Sequence, residues 1–398
     1  MHQVIIIAHL PDYPDGGSTA RRVEAFARGL VSQQAEVSLV IPLKQRQGEL
    51  EKTVAGVHVL WLSTLKWAPR FIAIFFSRIK LLIWTMRNLQ RHSPGWLFLY
   101  NLNLEGIALI WIAHLTGWDV ATIVCDIRDF QATGLRLWAQ KAADYALTKM
   151  SDLNIVISDF LRKRAINWAN NVPCIVIPPM VDTERFRFDS EQGAKFRIKH
   201  DLVNKPLVGY FGSLYFNQGL PSLLQAIKHL KDIGMILDIV IAGTSSRQIQ
   251  CSDIGSISKE LGIQDQVHEV GWLPESETIA AMSACDVLAI PRIVHPVNEA
   301  GSPTKLAEYL SMGRAVIAAG VGDISAYHMI KPGFILTKPG DSDSIAEALF
   351  YLFSTPENRH RLEIISRHLA EDFFDYRIAL TSLVEILDSV SAAGQNRH

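Results

Sequence analysis

Short apolar runs alternate with longer amphipathic stretches along most of this chain. Val4–Ala8 is apolar at every position, and such a run reads as a parallel strand buried on both faces. Ser18–Gln33 follows with Val23, Phe26, Ala27 and Leu30 at helical spacing. Glu36–Ile41 reads as the next strand, closed by Pro42, and Val57–Leu62, Trp96–Tyr100, Thr122–Cys125, Ile155–Ile157 and Cys174–Ile177 continue the series. This alternation predicts a mostly parallel sheet with helices on both faces.

The alternation then restarts. Leu207–Phe211, Leu237–Ile241, Val267–Val270, Val287–Ile290 and Ala315–Ala318 read as strands. Helical patterns fall between and after them, at Leu220–Ile233, Ile254–Leu261, Glu275–Ser283, Thr304–Met312 and Ser342–Phe353. The polar stretch near residues 183–205 is the joint between two Rossmann-like domains.

Composition narrows the partners. The 398 residues are 48% hydrophobic and 20% charged, as in an ordinary globular protein, which excludes disorder and coiled coil. The net charge of −1 gives no basicity that would point to nucleic acid. Residues 1–185 carry +5, however, and the remainder −6, so the first half is the one suited to an anionic surface. Cys125, Cys174, Cys251 and Cys285 are widely spaced, without a CxxC pair or a Cys/His cluster, and read as buried thiols of a reducing cytosol. Met1-His2-Gln3 runs straight into the first strand with no cleavage site, so the expected location is cytoplasmic.

Ligands of open α/β sheets bind outside the carboxyl ends of the strands. The first strand is followed by a loop ending Gly16-Gly17-Ser18, where paired glycines and a helix start let a ligand approach the backbone. It is not GxGxxG, so a nicotinamide dinucleotide is not expected there; the plain alternative is a strand-to-helix turn. The first strand of the second domain is followed by Gly212-Ser213-Leu214-Tyr215-Phe216-Asn217-Gln218-Gly219, a second glycine-flanked loop into a helix. The most informative segment is Asn298-Glu299-Ala300-Gly301-Ser302-Pro303-Thr304-Lys305-Leu306-Ala307-Glu308. Gly301, Ser302, Pro303 and Thr304 form a turn that starts a helix, with Pro303 expected at the first helical position. Free amides and the helix dipole there suit a diphosphate. Lys305 is electrostatically misplaced in a first turn unless an anion is bound. Glu308 lies one turn on, on nearly the same face, placed to accept from the adjacent hydroxyls of a ribose. The alternative for these two is a surface Lys–Glu pair.

Ser302-Pro303-Thr304-Lys305-Leu306-Ala307-Glu308-Tyr309-Leu310 with Gly313-Arg314-Ala315-Val316-Ile317-Ala318 resembles the donor-site helix and following strand of GT-B glycosyltransferases of family 4. Ile177–Phe186, Ala242-Gly243, Gly271-Trp272-Leu273 and Cys285-Asp286-Val287 resemble that family's other landmarks, in order. The resemblance implies two Rossmann-like domains facing a central cleft. An acceptor-binding domain would span 1–185, with residues 372–398 returning to it as a crossing helix, and a donor-binding domain would span 186–371. It implies a retaining transferase that moves a sugar from a nucleotide-sugar donor to a saccharide or lipid-linked acceptor, in cell-surface polysaccharide or glycoconjugate biosynthesis. The implied donor-binding residues are Gly212, Ser213, Gln218, Gly243, Trp272, Glu299, Gly301, Ser302, Pro303, Thr304, Lys305 and Glu308; Lys305, Glu308, Arg128 and Asp129 are the implied catalytic ones. Gly16, Gly17 and Ser18 would form the acceptor-side loop. The sequence departs from the family at four places: Ala300 stands where a first acidic residue is usual, with Glu299 beside it, Ser213 and Gln218 stand where cations are usual, and Asp126-Ile127-Arg128-Asp129 lacks the His usual before the Asp. Arg128, Arg292 and Lys305 are the cations left to compensate.

The implied chemistry is cleavage of the donor's C1–O bond through an oxocarbenium-like state, with the departing diphosphate stabilised by Lys305 and the amides of residues 302–305. The nucleotide sugar is then a substrate, and no cofactor is expected. There is no metal-ligand cluster of cysteines and histidines, so no metal is expected. His9, at a strand end, and His295, near the donor loop, are the histidines whose positions suggest a role. Other readings are a different GT-B enzyme, such as a nucleotide-sugar 2-epimerase, and a non-catalytic binding protein of the same fold.

No acidic residue occurs from Lys52 to Leu104, where seven basic residues lie. Residues 66–91 are expected to attach the protein to an anionic membrane at its inner face without spanning it. In the helix over 70–91, Phe71, Phe75, Ile79, Leu82 and Met86 are expected to pack on the domain, leaving Ile74, Leu81 and Trp84 outward among the basic side chains. The alternative is a core helix with a solvated basic edge.

Overall fold

The computed structural model describes residues 2–10, 13, 17–44, 51–63, 70–125, 127, 134–243 and 253–395. The chain divides into two compact units: one of Met1–Met180 with Tyr376–His398, the other of Val181–Asp375. Sequence reasoning places these boundaries after residues 185 and 371.

The first unit runs β1 (Gln3–Ala8), α1 (Ser18–Ser32), β2 (Glu36–Lys44), β3 (Glu51–Val54), β4 (Val57–Ser63), α2 (Arg70–Arg91), β5 (Trp96–Tyr100), α3 (Glu105–Leu115), β6 (Asp119–Val124), α4 (Gly134–Met150), β7 (Leu153–Val156), α5 (Asp159–Trp168) and β8 (Cys174–Val176). Its eight-stranded sheet has the order β3-β4-β2-β1-β5-β6-β7-β8. Every neighbouring pair is parallel except β3 with β4, a hairpin whose first strand is too polar to read as one from sequence. β1 and β5 are buried almost end to end, as strands covered on both faces must be.

The second unit runs α6 (Ser190–Lys199), β9 (Leu207–Phe211), α7 (Leu220–Asp232), β10 (Asp238–Ala242), α8 (Ile254–Glu260), β11 (Val267–Gly271), α9 (Glu275–Ala284), β12 (Val287–Ile290), α10 (Pro296–Ala300), α11 (Thr304–Ser311), β13 (Ala315–Ala319), α12 (Ile324–Ile330), β14 (Ile335–Thr337), α13 (Ser342–Ser354) and α14 (Pro356–Leu369). Its six strands are all parallel, in the order β11-β10-β9-β12-β13-β14. At the end of the unit the chain comes back to its start. Val181 donates to the Phe374 carbonyl at 2.9 Å, and the buried Asp375 carboxylate accepts from the Thr183 hydroxyl and amide.

α15 (Tyr376–Ala379) and α16 (Thr381–Gln395) then belong to the first unit, as the crossing helix requires. Arg28 on α1 donates to the Tyr376 hydroxyl at 3.0 Å, Gln33 donates to the Arg377 carbonyl at 2.9 Å, and Leu380, Leu383 and Leu387 are buried. The close approach depends on Gly29. A Cβ there would lie 2.6 Å from Leu380 Cδ1 and 2.8 Å from the Tyr376 carbonyl.

α2 packs differently from expectation. Its buried stripe is Ser77, Leu81, Thr85 and Leu89, one residue every fourth position, while Ile74 and Trp84 are half-buried. Phe75, Ile79 and Met86, expected to face the core, are exposed, together with Phe76 and Ile83. The helix is apolar on most sides, so apolar periodicity does not select a face. The hydroxyls of Ser77 and Thr85 are small enough to let the helix sit close to the sheet.

Gly29→Val should overpack the α1–α15 contact and cost about 1–3 kcal/mol of stability in urea unfolding. Limited proteolysis should then cut first within 376–395. Unchanged stability and an equally protected tail would contradict this packing.

Candidate functional site

In the second unit the chain winds from β9 outward to β10 and β11, then crosses back so that β12 lies on the other side of β9. This reversal opens a crevice beyond the carboxyl ends of β9 and β12, where ligands of such sheets bind. β9 and β12 pair only through Val208 and Gly209, so the strands part before they end. Tyr309 of α11 fills the gap. Its buried hydroxyl accepts from the Phe211 amide at 2.8 Å and donates to the Phe211 carbonyl at 3.2 Å, replacing a lost strand partner. This pins α11 to the end of β9.

The loop after β9 is closed by Gly219, which caps α7 with φ +77°. A side chain there would strike the Pro291 carbonyl beyond β12. Asn298 ties the same two loops together: its buried amide donates to the Asn217 carbonyl at 2.7 Å and to the Ile293 carbonyl at 2.9 Å.

Into this frame α11 sends Lys305. Its Nζ donates to the Tyr210 hydroxyl at 2.9 Å and to Gln218 Oε1 at 3.2 Å, and it sits 4.3 Å from the centre of the Tyr210 ring. Gly212 leaves room for it, because a Cβ at that position would overlap the end of the lysine chain. Burial and the nearby Arg292 guanidinium push the Lys305 ammonium down to about 7, against the pull of the Glu308 carboxylate. The proton is therefore held more weakly in the folded than in the unfolded chain. The ammonium costs stability at and below about pH 7, and the cost fades as pH rises toward 10.5. A bound polyanion reverses the balance, since it favours the charged form.

The remaining predicted donor residues gather around α11. Thr304 is its first residue and Pro303 its N-cap, one position earlier than the sequence suggests for the proline. The first-turn amides of such a helix lack intrahelical partners. Ser302 is buried and points inward, its hydroxyl 3.2 Å from that of Tyr327. Gly301 ends α10, and Glu299, before it, accepts from the Gly322 amide at 3.2 Å, so its carboxylate holds the loop after β13. Ala300, in place of an acidic residue, is buried, as is Glu308 one turn into α11. Gly243 lies beyond β10, its amide bonded to the Gly271 carbonyl at 2.8 Å. Trp272, beyond β11, is 65% exposed. The side chain of Ser213 is half-buried, and its carbonyl accepts from the Tyr210 hydroxyl.

His295 is a helix cap, its Nδ1 accepting from the Val297 amide at 3.2 Å. In the first unit Gly17 caps α1 and Ser18 opens it, whereas Gly16, Arg128 and Asp129 lie outside the described residues. Sequence reasoning missed Tyr210, Tyr309 and Asn298. Only their partners, some 80 to 100 positions away, give them their roles.

Residues 205–355, all in this second unit, match the family model described as "Glycosyl transferases group 1". A 2-deoxystreptamine glucosyltransferase from Streptomyces kanamyceticus is 24% identical over 184 residues, 46% of this chain and 45% of that protein. A GDP-mannose-dependent alpha-(1-6)-phosphatidylinositol monomannoside mannosyltransferase from Mycolicibacterium smegmatis is 25% identical over 55% of this chain and 57% of its own. The chain thus spans about half the length of these curated relatives. Solved structures resemble it along nearly its full length. The sucrose-phosphate synthase of Thermosynechococcus elongatus has a TM-score of 0.73 at 16% identity, covering 99% of this chain and 100% of that one. Anabaena HepE in complex with UDP and glucose has 0.74 at 14%, covering 98% and 100%. The fold is therefore that of the GT-B glycosyltransferases, and residues 205–355 are similar to the glycosyl transferases group 1 domain.

Proposed function

We propose that this protein transfers a sugar from a nucleotide-sugar donor, bound in the second unit, to a saccharide or lipid-linked acceptor. The observation that carries this is the pair of neighbouring cations, Lys305 and Arg292, at the switch point of a parallel sheet beside a helix N-terminus. A buried ammonium destabilised by a second cation nearby suits a ligand with two or more negative charges, which a nucleoside diphosphate supplies. Lys305 and the first-turn amides of α11 take up the charge of the departing diphosphate. Glu308 receives the ribose hydroxyls, and Trp272 offers an exposed ring face to the base. The Gly212 loop faces the phosphates with Ser213 and Gln218 in place of the family's usual cations, and Lys305 and Arg292 compensate for them. Retention of configuration, membership of family 4 and a role in polysaccharide or glycoconjugate biosynthesis rest on the likeness of residues 302–318 to that family, and independence of metal on the lack of a metal-ligand cluster in the sequence. Arg128 and Asp129 remain proposed catalytic residues with Lys305 and Glu308, and Gly16, Gly17 and Ser18 the proposed acceptor-side loop.

A cytoplasmic position against the inner membrane face is part of the same reading, on a surface that differs from the one expected. α2 exposes Phe75, Phe76, Ile79, Ile83 and Met86 beside the exposed Lys80, Arg87 and Arg91. Its neighbour α3 exposes Trp111 and Leu115, and α4, packed on α3, exposes Leu135 and Trp138. Aromatic and aliphatic side chains mixed with exposed cations fit anionic lipid. Arg78 is the exception, because it lies 3.5 Å from the Glu105 carboxylate. No described helix is long and apolar enough to cross a membrane.

Glu308→Ala should weaken binding of the preferred nucleoside diphosphate, among UDP, GDP and ADP, by about 1.5–3 kcal/mol in calorimetry. Unchanged affinity in a variant that unfolds like the parent would overturn the ribose assignment. In flotation with vesicles, replacing Lys80, Arg87 and Arg91 by Gln should remove about 3 kcal/mol of anionic-lipid binding at low salt and leave nucleotide affinity intact. Equal binding of the parent to neutral and anionic vesicles, or to neither, would reject the electrostatic attachment.

A further inference from the structure

The first unit has its own switch point. From β1 the chain builds outward through β2 and β4, then crosses by α2 to β5 on the opposite side of β1. β1 and β5 end in register, Ala8 beside Tyr100. Three side chains from three elements meet just beyond these ends. His9 follows the last residue of β1, Glu105 opens α3 after the turn that leaves β5, and Arg78 reaches across from α2. His9 Nε2 lies 3.1 Å from Glu105 Oε1, and Arg78 lies 3.5 Å from Glu105 Oε2.

The arrangement is costly for a merely structural contact. The Glu105 side chain is 3% exposed, and an ion so buried demands compensation. Burial alone would raise its pKa. The His9 hydrogen bond, its own backbone amide and the charges of Arg78 and His9 outweigh burial and bring it to about 2, so it is a carboxylate at any ordinary pH. A carboxylate only accepts, so the hydrogen bond from His9 must be donated by Nε2–H. That fixes the neutral imidazole in one tautomer and leaves the lone pair on Nδ1. The imidazole keeps 28% of its side-chain surface open, and Nδ1 has no hydrogen bond among the described residues. Beyond the carboxyl ends of β1 and β5 stands an oriented acceptor whose orientation is set by a buried charge.

We propose that His9, oriented by Glu105, binds a hydroxyl group of a polyol or sugar acceptor in the first unit, with Nδ1 accepting the hydroxyl proton's hydrogen bond. Glu105 is the positioning residue and does not touch the ligand. Arg78 is the counter-charge that keeps Glu105 ionised. The biological meaning rests on the sugar-transfer reading above, but binding of the hydroxyl does not.

The test follows the imidazole itself. In the full chain labelled with ¹⁵N-histidine, with the His9 signals assigned through His9→Gln, the neutral form should show a protonated Nε2 and an unprotonated Nδ1. Addition of methyl glucoside, methyl mannoside, myo-inositol or glycerol should shift the Nδ1 resonance for at least one of them. In Glu105→Gln the single tautomer should be lost and the apparent affinity for that alcohol should fall about tenfold. A protonated Nδ1 in the parent, or an Nδ1 resonance unmoved by all four alcohols, would overturn the proposal. The parent alone decides this if Glu105→Gln does not fold. With UDP-glucose as donor, His9→Gln should lose transfer to the responding alcohol while UDP affinity stays at the parental value. Failure of the parent to bind any of UDP, GDP or ADP would instead sink the donor reading of the second unit and leave the imidazole result standing.

Discussion

The carboxyl edge of the second sheet is organised by the place where the Lys305 ammonium is held. A cation between the Tyr210 hydroxyl and Gln218 Oε1 needs a neighbour without a side chain, which is Gly212. It needs α11 docked close to β9, which the Tyr309 hydroxyl ensures by completing the backbone of Phe211. It also needs the loops after β9 and β12 clasped, which Asn298 and Gly219 do from opposite sides. Each of these residues would be ordinary in isolation. Together they hold a partly desolvated ammonium whose own repulsion from Arg292 is relieved when an anion enters.

The two units solve a similar problem with opposite charge. In each, a parallel sheet reverses its winding order and places polar side chains beyond its central strands. The second unit buries a cation and depresses its pKa, so the crevice suits a polyanion. The first buries an anion, Glu105, and spends it on fixing an imidazole, so the crevice offers an oriented acceptor and suits a hydroxyl. The difference matches the two partners that glycosyl transfer must bring together, an anionic leaving group and a neutral alcohol.

Much of this was legible before the structure. Continuous apolar runs such as Val4–Ala8 and Val287–Ile290 are strands because only a sheet covered on both faces buries every residue of a run. Pro303 between Ser302 and Thr304 marked a helix start to within one residue. Contacts set by distant partners were not legible. Glu105 lies 96 positions from His9 and follows the long acid-free stretch, so nothing local assigns it a partner. α2 misled for another reason: with apolar residues on nearly every side, apolar periodicity does not select a face, and its buried stripe includes Ser77 and Thr85.

The account turns on Lys305 being the group that meets the donor's phosphates. Its ε-methylene resonance in a ¹³C-lysine-labelled protein, assigned through Lys305→Arg, reports its titration directly. The account predicts a midpoint near the value of about 7 in the free protein, moved upward by about one unit or more when UDP, GDP or ADP is bound. A midpoint in the ordinary lysine range, unmoved by all three nucleotides, would contradict it.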